Sequence, residues 1–222
     1  MHIPDGYLGP ATCGFFYAAM LPVWTVASKI AKKTLSAKQV PLLAIGAAFS
    51  FVIMMFNVPI PGGSTGHAVG GVLVAILLGP WAACIAVTVA LVVQALLFGD
   101  GGITALGANC FNMAFVLVFA GYYIYRIISI NAPVNSNRRV LAAGIAAYVA
   151  INVAAFLAGI EFGLQPLLHH TAGGQALYCP YGLKTAVTAM AGEHLLIFGW
   201  VEAAVTALVV KYLQKQDPTL LG

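Results

Sequence analysis

The chain alternates between long apolar runs and short stretches that are polar or rich in glycine and proline. Seven apolar runs can be recognised, at residues 10–30, 40–57, 67–78, 81–98, 107–128, 140–160 and 185–212. Most of them approach the ~20 residues that a helix needs to cross a ~30 Å hydrocarbon core. The third run is too short, so we expect it to be tilted, half-buried or extended by the loop before it. The pattern predicts an all-α integral membrane protein, a bundle of seven transmembrane helices.

The composition supports this class. Of the 222 residues, 61% are hydrophobic and 7% are charged, whereas soluble domains carry roughly 25% charged residues. No linker or low-complexity tract divides the chain, which predicts a single domain over residues 1–222. The cysteines form no CxxC pair and are expected to be small apolar helix residues, with a disulfide among three of them left open: Cys13, Cys110 and Cys179, but not Cys84.

The basic residues predict how the helices are oriented. Seven crossings place the termini on opposite sides, and nine of the ten Lys and Arg residues then share the side of the C-terminus: Lys29, Lys32, Lys33, Lys38, Arg126, Arg138, Arg139, Lys211 and Lys215. The other side has Lys184 alone. Cytoplasmic loops carry an excess of Lys and Arg, so we expect a multi-pass plasma-membrane protein with the N-terminus outside and the C-terminus cytoplasmic. The net charge of +4 follows topology and does not indicate a nucleic-acid partner.

The chain begins with MHIPDG, which places an imidazole beside the amino terminus. No basic region or cleavage site accompanies the first apolar run, so we expect no signal peptide and Met1 as the true amino end. A free α-amine has a pKa near 7.7–8.0. The Met1 amine, the ionised His2 amide and His2 Nδ1 can then occupy three corners of a square around a metal. Ni(II) and Cu(II) suit such tetragonal nitrogen sites, whereas Ca(II) and Mg(II) prefer oxygen.

A fourth nitrogen has to come from elsewhere, and His67 follows the glycine-rich stretch PGGSTG at the outer mouth of the third run. Glycines permit close backbone approach, and non-helical backbone at membrane depth must pack on protein or line a cavity. We predict an outer-face metal site in which the N-terminal segment meets the loop before His67. The competing interpretation is that His2 is incidental and His67 only packs or caps. Residues that can orient the ligands or offset charge are Ser64, Thr65, Asn109, Asp5 and Asp100.

Two further histidine groups support a different hypothesis. Glu193 and His194 lie within the last apolar run, and His169 and His170 lie in the loop before it. Ionisable residues inside a membrane are functional candidates by default, so an intramembrane metalloenzyme that uses these residues is the alternative. No HExxH motif supports it. Interhelical hydrogen bonding is the favoured interpretation of Glu193 and His194, with these candidate partners: Gln94, Asn109, Asn112 and Asn152. A purely structural membrane protein is the third hypothesis.

Four motifs occur in order across the apolar runs: MHIPDG, PGGSTGHAVGG, FGDGGITALGAN and GEHLL. In this order they resemble the NikM/CbiM family, the substrate-binding (S) components of energy-coupling factor transporters for nickel and cobalt. The resemblance covers essentially the whole chain. It implies a non-catalytic subunit whose metal ligands are the Met1 amine, the His2 amide and Nδ1, and the His67 imidazole.

The resemblance also implies partners. An S component captures its ion outside and works with a transmembrane coupling (T) protein and two cytoplasmic ATPases, and a small accessory membrane subunit is expected as a separate chain. Small residues on the first helix, Ala27 and Ala31, are the candidates for contact with the T protein. Planar nitrogen coordination favours Ni(II), with Co(II) as the other candidate. Since the ligands must be deprotonated, metal affinity is expected to fall below about pH 6.5.

Overall fold

The computed structural model describes residues 1–37 and 39–221. Lys38, which entered the orientation argument, lies outside the described residues. Helices and helical turns account for most of the chain, in this order: α1 Pro10–Thr34, α2 Val40–Met54, α3 Gly71–Leu78, α4 Pro80–Val93 with a π-helical turn Gln94–Phe98, α5 Leu106–Asn109 with a π-helical turn Cys110–Leu117, α6 Val118–Ile128, α7 Asn137–Leu168, α8 Leu183–Glu193 with a π-helical turn His194–Phe198, α9 Gly199–Gln216 and a final 3₁₀ turn Pro218–Leu221.

Within the described residues, five helical stretches are long and apolar enough to cross a bilayer: Pro10–Thr34, Pro80–Phe98, Leu106–Ile128, Asn137–Leu168 and Leu183–Gln216. The prediction of a helical membrane protein is therefore confirmed. The helix α2 is apolar but shorter, and α3 has only eight residues. The count of seven crossings, the orientation of the termini and the division into one domain stay predictions.

Prolines and glycines set the helix starts. Helices α1, α2 and α4 each carry a proline at their first or second position, where the missing N–H has no helical partner to lose. Gly79 between α3 and α4 has φ +82°, a conformation that side chains with a Cβ rarely adopt. This glycine followed by Pro80 separates two apolar runs that would otherwise read as one helix.

The third apolar run differs from its prediction. Its helix begins at Gly71 rather than His67, because Gly70 has φ +73° and cannot continue a helix backwards. Before it lies a small antiparallel hairpin of β1 (Val58–Pro59) and β2 (Thr65–Gly66), with Val58 opposite Gly66. A loop was predicted at this place, and the all-α expectation missed the hairpin because each strand has only two residues.

Three other expectations are settled by the structure. Helix α7 runs to Leu168, beyond residue 160 where the sixth apolar run was predicted to end, so Glu161 lies inside a helix. The four cysteines are buried free thiols, so the disulfide left open does not form. Ala27 is fully buried and Ala31 is 6% exposed, so this pair packs inside the chain and is not presented to a partner helix.

The core centres on α7, which packs against α6, α8 and α9. Alanines line its buried side at helical spacing, as at Ala143, Ala147, Ala150 and Ala154, and small residues let helices approach closely. At the start of α7, Lys211 Nζ of α9 donates to Asn137 Oδ1 at 2.8 Å. The amino-terminal segment packs beside the hairpin, where the Met1 amine donates to the Thr65 carbonyl.

Candidate metal centre

The amino terminus is part of the protein interior. Met1 is 1% exposed, His2 2% and Ile3 0%. The Met1 amine donates a hydrogen bond to the carbonyl oxygen of Thr65, and the Ser64 hydroxyl donates to the carbonyl of His2. The first residues of the chain are therefore attached to strand β2 and the turn before it, next to His67.

Asn109 holds the next residue on the other side. Its Oδ1 accepts from the Ile3 amide at 2.8 Å, and its Nδ2 donates to the Ile3 carbonyl at 3.1 Å. Gly102 also donates to that carbonyl at 2.8 Å. Asp5 accepts from the amides of Ile103 and Thr104 at 3.1 and 2.8 Å. Buried backbone groups need partners, and these bonds supply them at each step of the entering chain.

His2 and His67 are brought together although 64 residues separate them. Their rings are stacked, with centroids 4.5 Å apart and planes at 27°. Nε2 of His2 lies 3.2 Å from Oε1 of Gln94, and Nδ1 of His67 lies 3.0 Å from the carbonyl oxygen of Ala68. Carbonyl oxygens only accept, so these two ring nitrogens carry the protons.

The other ring nitrogens then have free lone pairs. His2 Nδ1 and His67 Nε2 are both buried and lack a hydrogen-bond partner among the described residues. Buried polar atoms are nearly always paired, so two orphaned lone pairs on adjacent imidazoles call for an explanation. These are the two atoms that the metal hypothesis requires as ligands, and a hydrogen bond on the opposite ring nitrogen is the usual way in which a metal-ligating imidazole is oriented.

The site favours unprotonated nitrogens. Burial lowers the pKa of the Met1 amine from 8.0 to about 5. Burial, together with the nearby amine, lowers the pKa of His2 from 6.5 to about 3 and that of His67 well below 6.5. Because burial disfavours the protonated amine and imidazoles, the lone pairs of their nitrogens stay available for a metal.

Asp100 and Glu193 are the acidic groups beside these nitrogens, and both oppose the fall in the pKa of the Met1 amine. Asp100 Oδ1 lies 3.4 Å from His2 Nδ1, and its Oδ2 accepts from Asn57 at 2.9 Å. Burial raises its pKa, while the Met1 amine opposes that shift. Asp100 can therefore offset positive charge at the site. Asp5, the other candidate, contacts the loop at Thr104 instead and shapes the path of the chain.

Three of the long helical stretches contain a π-helical turn near the residues of the site. Gln94, which orients His2, opens the turn Gln94–Phe98, and Asn109, which holds Ile3, immediately precedes the turn Cys110–Leu117. The third turn, His194–Phe198, lies against the loop of His67. Such turns are rare and frequent at functional sites. They widen the helix where a polar side chain must face the site.

The residues of the alternative hypothesis are not assembled into one site. His194 Nδ1 donates to the carbonyl of Met190 at 2.8 Å and lies 3.2 Å from Glu193 Oε1. His169 directly follows the end of α7, and its ring packs edge-on against Tyr178. In the described part of the chain, no group of three or more His, Cys, Asp and Glu side chains has metal-site geometry. The site at the amino end has two imidazoles, and its other two candidate nitrogens belong to the main chain.

A cleft of about 370 Å³ reaches the site from one side. It is bordered by His2, by the hairpin turn at residues 60–65, by the loop at residues 99–101 and by Tyr181. The contact of Gln94 with His2 and this cleft were not foreseen from the sequence, which offered Gln94 as a partner of Glu193 and His194. The signal for Gln94 was a lone amide in an otherwise apolar run, which cannot show by itself what it faces.

Comparison with known proteins identifies the family of the chain. The family model CbiM, the cobalt uptake substrate-specific transmembrane region, matches residues 2–220. The chain is 54% identical over 223 residues to the probable fused nickel transport protein LarMN of Lactiplantibacillus plantarum, covering all of this chain and 66% of that protein. It is 53% identical over 222 residues to the fused nickel transport protein NikMN of Rhodobacter capsulatus, covering all of this chain and 64% of that protein.

A solved structure agrees as well. The crystal structure of a truncated transition metal transporter matches with a TM-score of 0.93 and 58% sequence identity, covering 97% of this chain and 99% of that one. The chain spans about two thirds of the length of the two fused relatives.

Fold and comparisons together define a helical membrane component of metal uptake, a class of transport proteins and not of enzymes. The chain belongs to the CbiM family, which confirms the NikM/CbiM resemblance found in the sequence motifs.

Proposed function

We propose that this chain is the substrate-capture subunit of an ATP-driven uptake transporter for nickel. The ion binds at the amino end in a square of four nitrogens: the Met1 amine, the His2 amide, His2 Nδ1 and His67 Nε2. The observation that carries this proposal is the pair of buried, unpartnered lone pairs on two stacked imidazoles beside the buried amine. The transported ion is the substrate of the protein, and the chain supplies ligands, orientation and exclusion of water.

The donor set explains selection against the common divalent ions. Mg(II) and Ca(II) prefer oxygen ligands and do not ionise a backbone amide. Ni(II) suits planar nitrogen coordination, and relatives are named for nickel while the family is described by cobalt uptake. Co(II) is therefore the second candidate ion. Ionising the amide leaves a net charge of +1 at the site, which Asp100 at 3.4 Å from His2 Nδ1 offsets.

The partners in this proposal are a transmembrane T protein and two cytoplasmic ATPases, with a small accessory membrane subunit. Hydrolysis of ATP by those subunits drives release of the ion towards the cytoplasm. The site faces outside in the plasma membrane, as the distribution of basic residues predicts. The buried amino end suits this role, since a captured ion is withdrawn from outside water.

Equilibrium metal competition on the purified chain tests the function. We expect Ni(II) to bind with one equivalent per chain, Co(II) to compete, and Mg(II) or Ca(II) in large excess to have no effect. Displacement of Ni(II) by millimolar Mg(II), or absence of Ni(II) binding in a correctly folded chain, would contradict the proposal.

Acid is expected to weaken Ni(II) binding by at least about tenfold per pH unit, because the His2 amide releases one proton for each ion bound. The buried amine has its pKa lowered from 8.0 to about 5. The buried site disfavours the protonated amine. The folded site therefore loses stability relative to the unfolded chain as the pH falls from 8.0 through about 5. The fall of Ni(II) affinity with pH should therefore become steeper near pH 5. That is lower than the pH 6.5 expected when the ligands have their ordinary pKa values. Competition titrations between pH 8 and pH 4 measure the slope on both sides of pH 5, and a flat response would contradict the ligand set.

A further inference from the structure

Glu202 of α9 is a fully buried carboxylate that lies at the loop of His67. Its Oε2 accepts from the amide of Val69 at 2.7 Å. Its two oxygens accept from the amide of Gly70 at 2.9 and 3.0 Å. Within residues 1–37 and 39–221, no Lys, Arg or His nitrogen forms an ion pair with it. Burying a carboxylate is costly, and here two backbone N–H groups provide the compensation.

The two amides belong to the start of α3, where N–H groups have no partner within the helix. Gly70 has φ +73° and precedes the first helical residue. A carboxylate at this position also interacts favourably with the helix dipole. Glu202 thus caps α3 from a different helix, and in doing so it fixes the backbone two and three residues after His67.

The segment that carries His67 lies along one side of the last helical stretch. A Cβ on Gly63 would lie 2.9 Å from Met190 Sδ, and one on Gly66 would overlap the Glu193 carboxylate and the Phe198 ring. Val69 and Gly70 then reach Glu202. Successive residues of the segment therefore contact successive residues of the helix, and its last contacts in this series are the hydrogen bonds to Glu202.

His67 is held from both sides by this arrangement. Before it, β2 pairs with β1. After it, the loop has no strand partner, and Glu202 accepts the two amides there. The His67 ring adds a bond to the carbonyl of Ala68 at 3.0 Å, so any movement of the backbone at residues 68–70 changes where Nε2 points.

We infer that Glu202 is a positioning residue for metal capture: it clamps the loop after His67 onto α9 and so aims His67 Nε2 at the amino end. The inference rests on the proposed function, because it assigns a task to a residue that touches neither the amino end nor the ion.

Substitutions at Glu202 in the full chain test the inference. Glu202→Gln presents one amide N–H₂ to backbone N–H donors, so we expect Ni(II) affinity to fall about 10- to 100-fold, the range found when a partner of a metal ligand is lost. Glu202→Asp keeps both oxygens but is one methylene shorter, so a smaller loss is expected. The matched control is Glu161→Gln, since Glu161 is also buried in a helix but binds Asn112 at 2.9 Å.

Three measurements accompany each variant: Ni(II) competition, the visible absorption of bound Ni(II), and hydrogen exchange of the peptide that covers residues 65–72 in the metal-free chain. If Glu202 positions the loop, Glu202→Gln should shift the Ni(II) absorption band and speed hydrogen exchange in residues 65–72. Glu202→Asp should show smaller changes in both measurements, and Glu161→Gln should show neither. Unchanged affinity in Glu202→Gln overturns the inference, and so does an equal loss in Glu161→Gln. If Glu202→Gln does not fold, unchanged affinity in a folded Glu202→Asp with faster exchange overturns it.

Failure of the proposed function gives a different result. A wild-type chain that binds Ni(II) equally well with its amine blocked would refute the amino-end site, and this inference would fall with it. Dependence on the amine, combined with indifference to Glu202, would refute the positioning role alone.

Discussion

A chain whose amino group is acetylated, or which carries two extra residues before Met1, is expected to lose at least about 100-fold in Ni(II) affinity while keeping its helical fold. A factor of 100 corresponds to about 2.8 kcal/mol. Loss of a single orienting partner of a metal ligand already costs about 10- to 100-fold, and here a ligand itself is removed. The amine is fully buried against Thr65, so added residues also have to displace the segment from the hairpin. Metal competition gives the affinity, and circular dichroism with thermal unfolding checks the fold.

The length of the extension is important. One added residue would place the histidine third, where an amine, two amides and Nδ1 complete a square without His67. Two added residues, or acetylation, avoid that artificial site. A chain with two extra residues at its C-terminus is the matched control and should bind as the wild type does. Retained Ni(II) affinity after acetylation would show that the ion binds elsewhere.

His67→Ala is expected to lower Ni(II) affinity by at least about 100-fold and to change the spectrum of the ion that remains bound. Four nitrogens in a plane give low-spin, diamagnetic Ni(II) with a yellow band, since square-planar nitrogen sites suit this ion. Without His67 Nε2 the fourth position falls to water, a weaker donor, and the band should shift to longer wavelength. Absorption, magnetic susceptibility and metal competition measure these changes on one sample.

The control for this variant is His170→Ala. His170 is exposed and lies in the loop that joins α7 to α8, so its removal should leave affinity and spectrum unchanged. Paramagnetic, octahedral Ni(II) in the wild type would count against the planar site. Equal effects of the two substitutions would indicate that the histidines act only through general stability.

Much of the fold was predictable because the membrane leaves few solutions. Apolar runs of helical length have to satisfy their own backbone groups in lipid, and the observed helices fall on those runs. The boundaries moved where single residues decide them. Helix α3 starts at Gly71 because of the positive φ of Gly70. Helix α7 continues past Ile160, and the first residue beyond that boundary, Glu161, has Asn112 as a buried partner.

The candidate ligands were also visible in the sequence, since an amino-terminal chelate is local chemistry. Three adjacent donors, the Met1 amine and two nitrogens of His2, lie within two residues. The motif PGGSTGH pointed to His67 as the distant donor, but nothing in it states that the rings stack at 4.5 Å. Gln94 and Glu202 gave no usable signal, because a lone polar residue in an apolar run does not reveal which neighbour it faces.

The sequence by itself determined the class of protein, the approximate spans and the candidate donor atoms at the amino end, because hydropathy and the spacing of donor atoms are properties of neighbouring residues. The tertiary structure decided which protons sit on which imidazole nitrogens, which lone pairs stay free, and which helix clamps the loop. Those properties depend on contacts such as His2 with Gln94 and Gly70 with Glu202. Their partners are about 90 to 130 residues apart, and only packing of the bundle brings them within hydrogen-bonding distance.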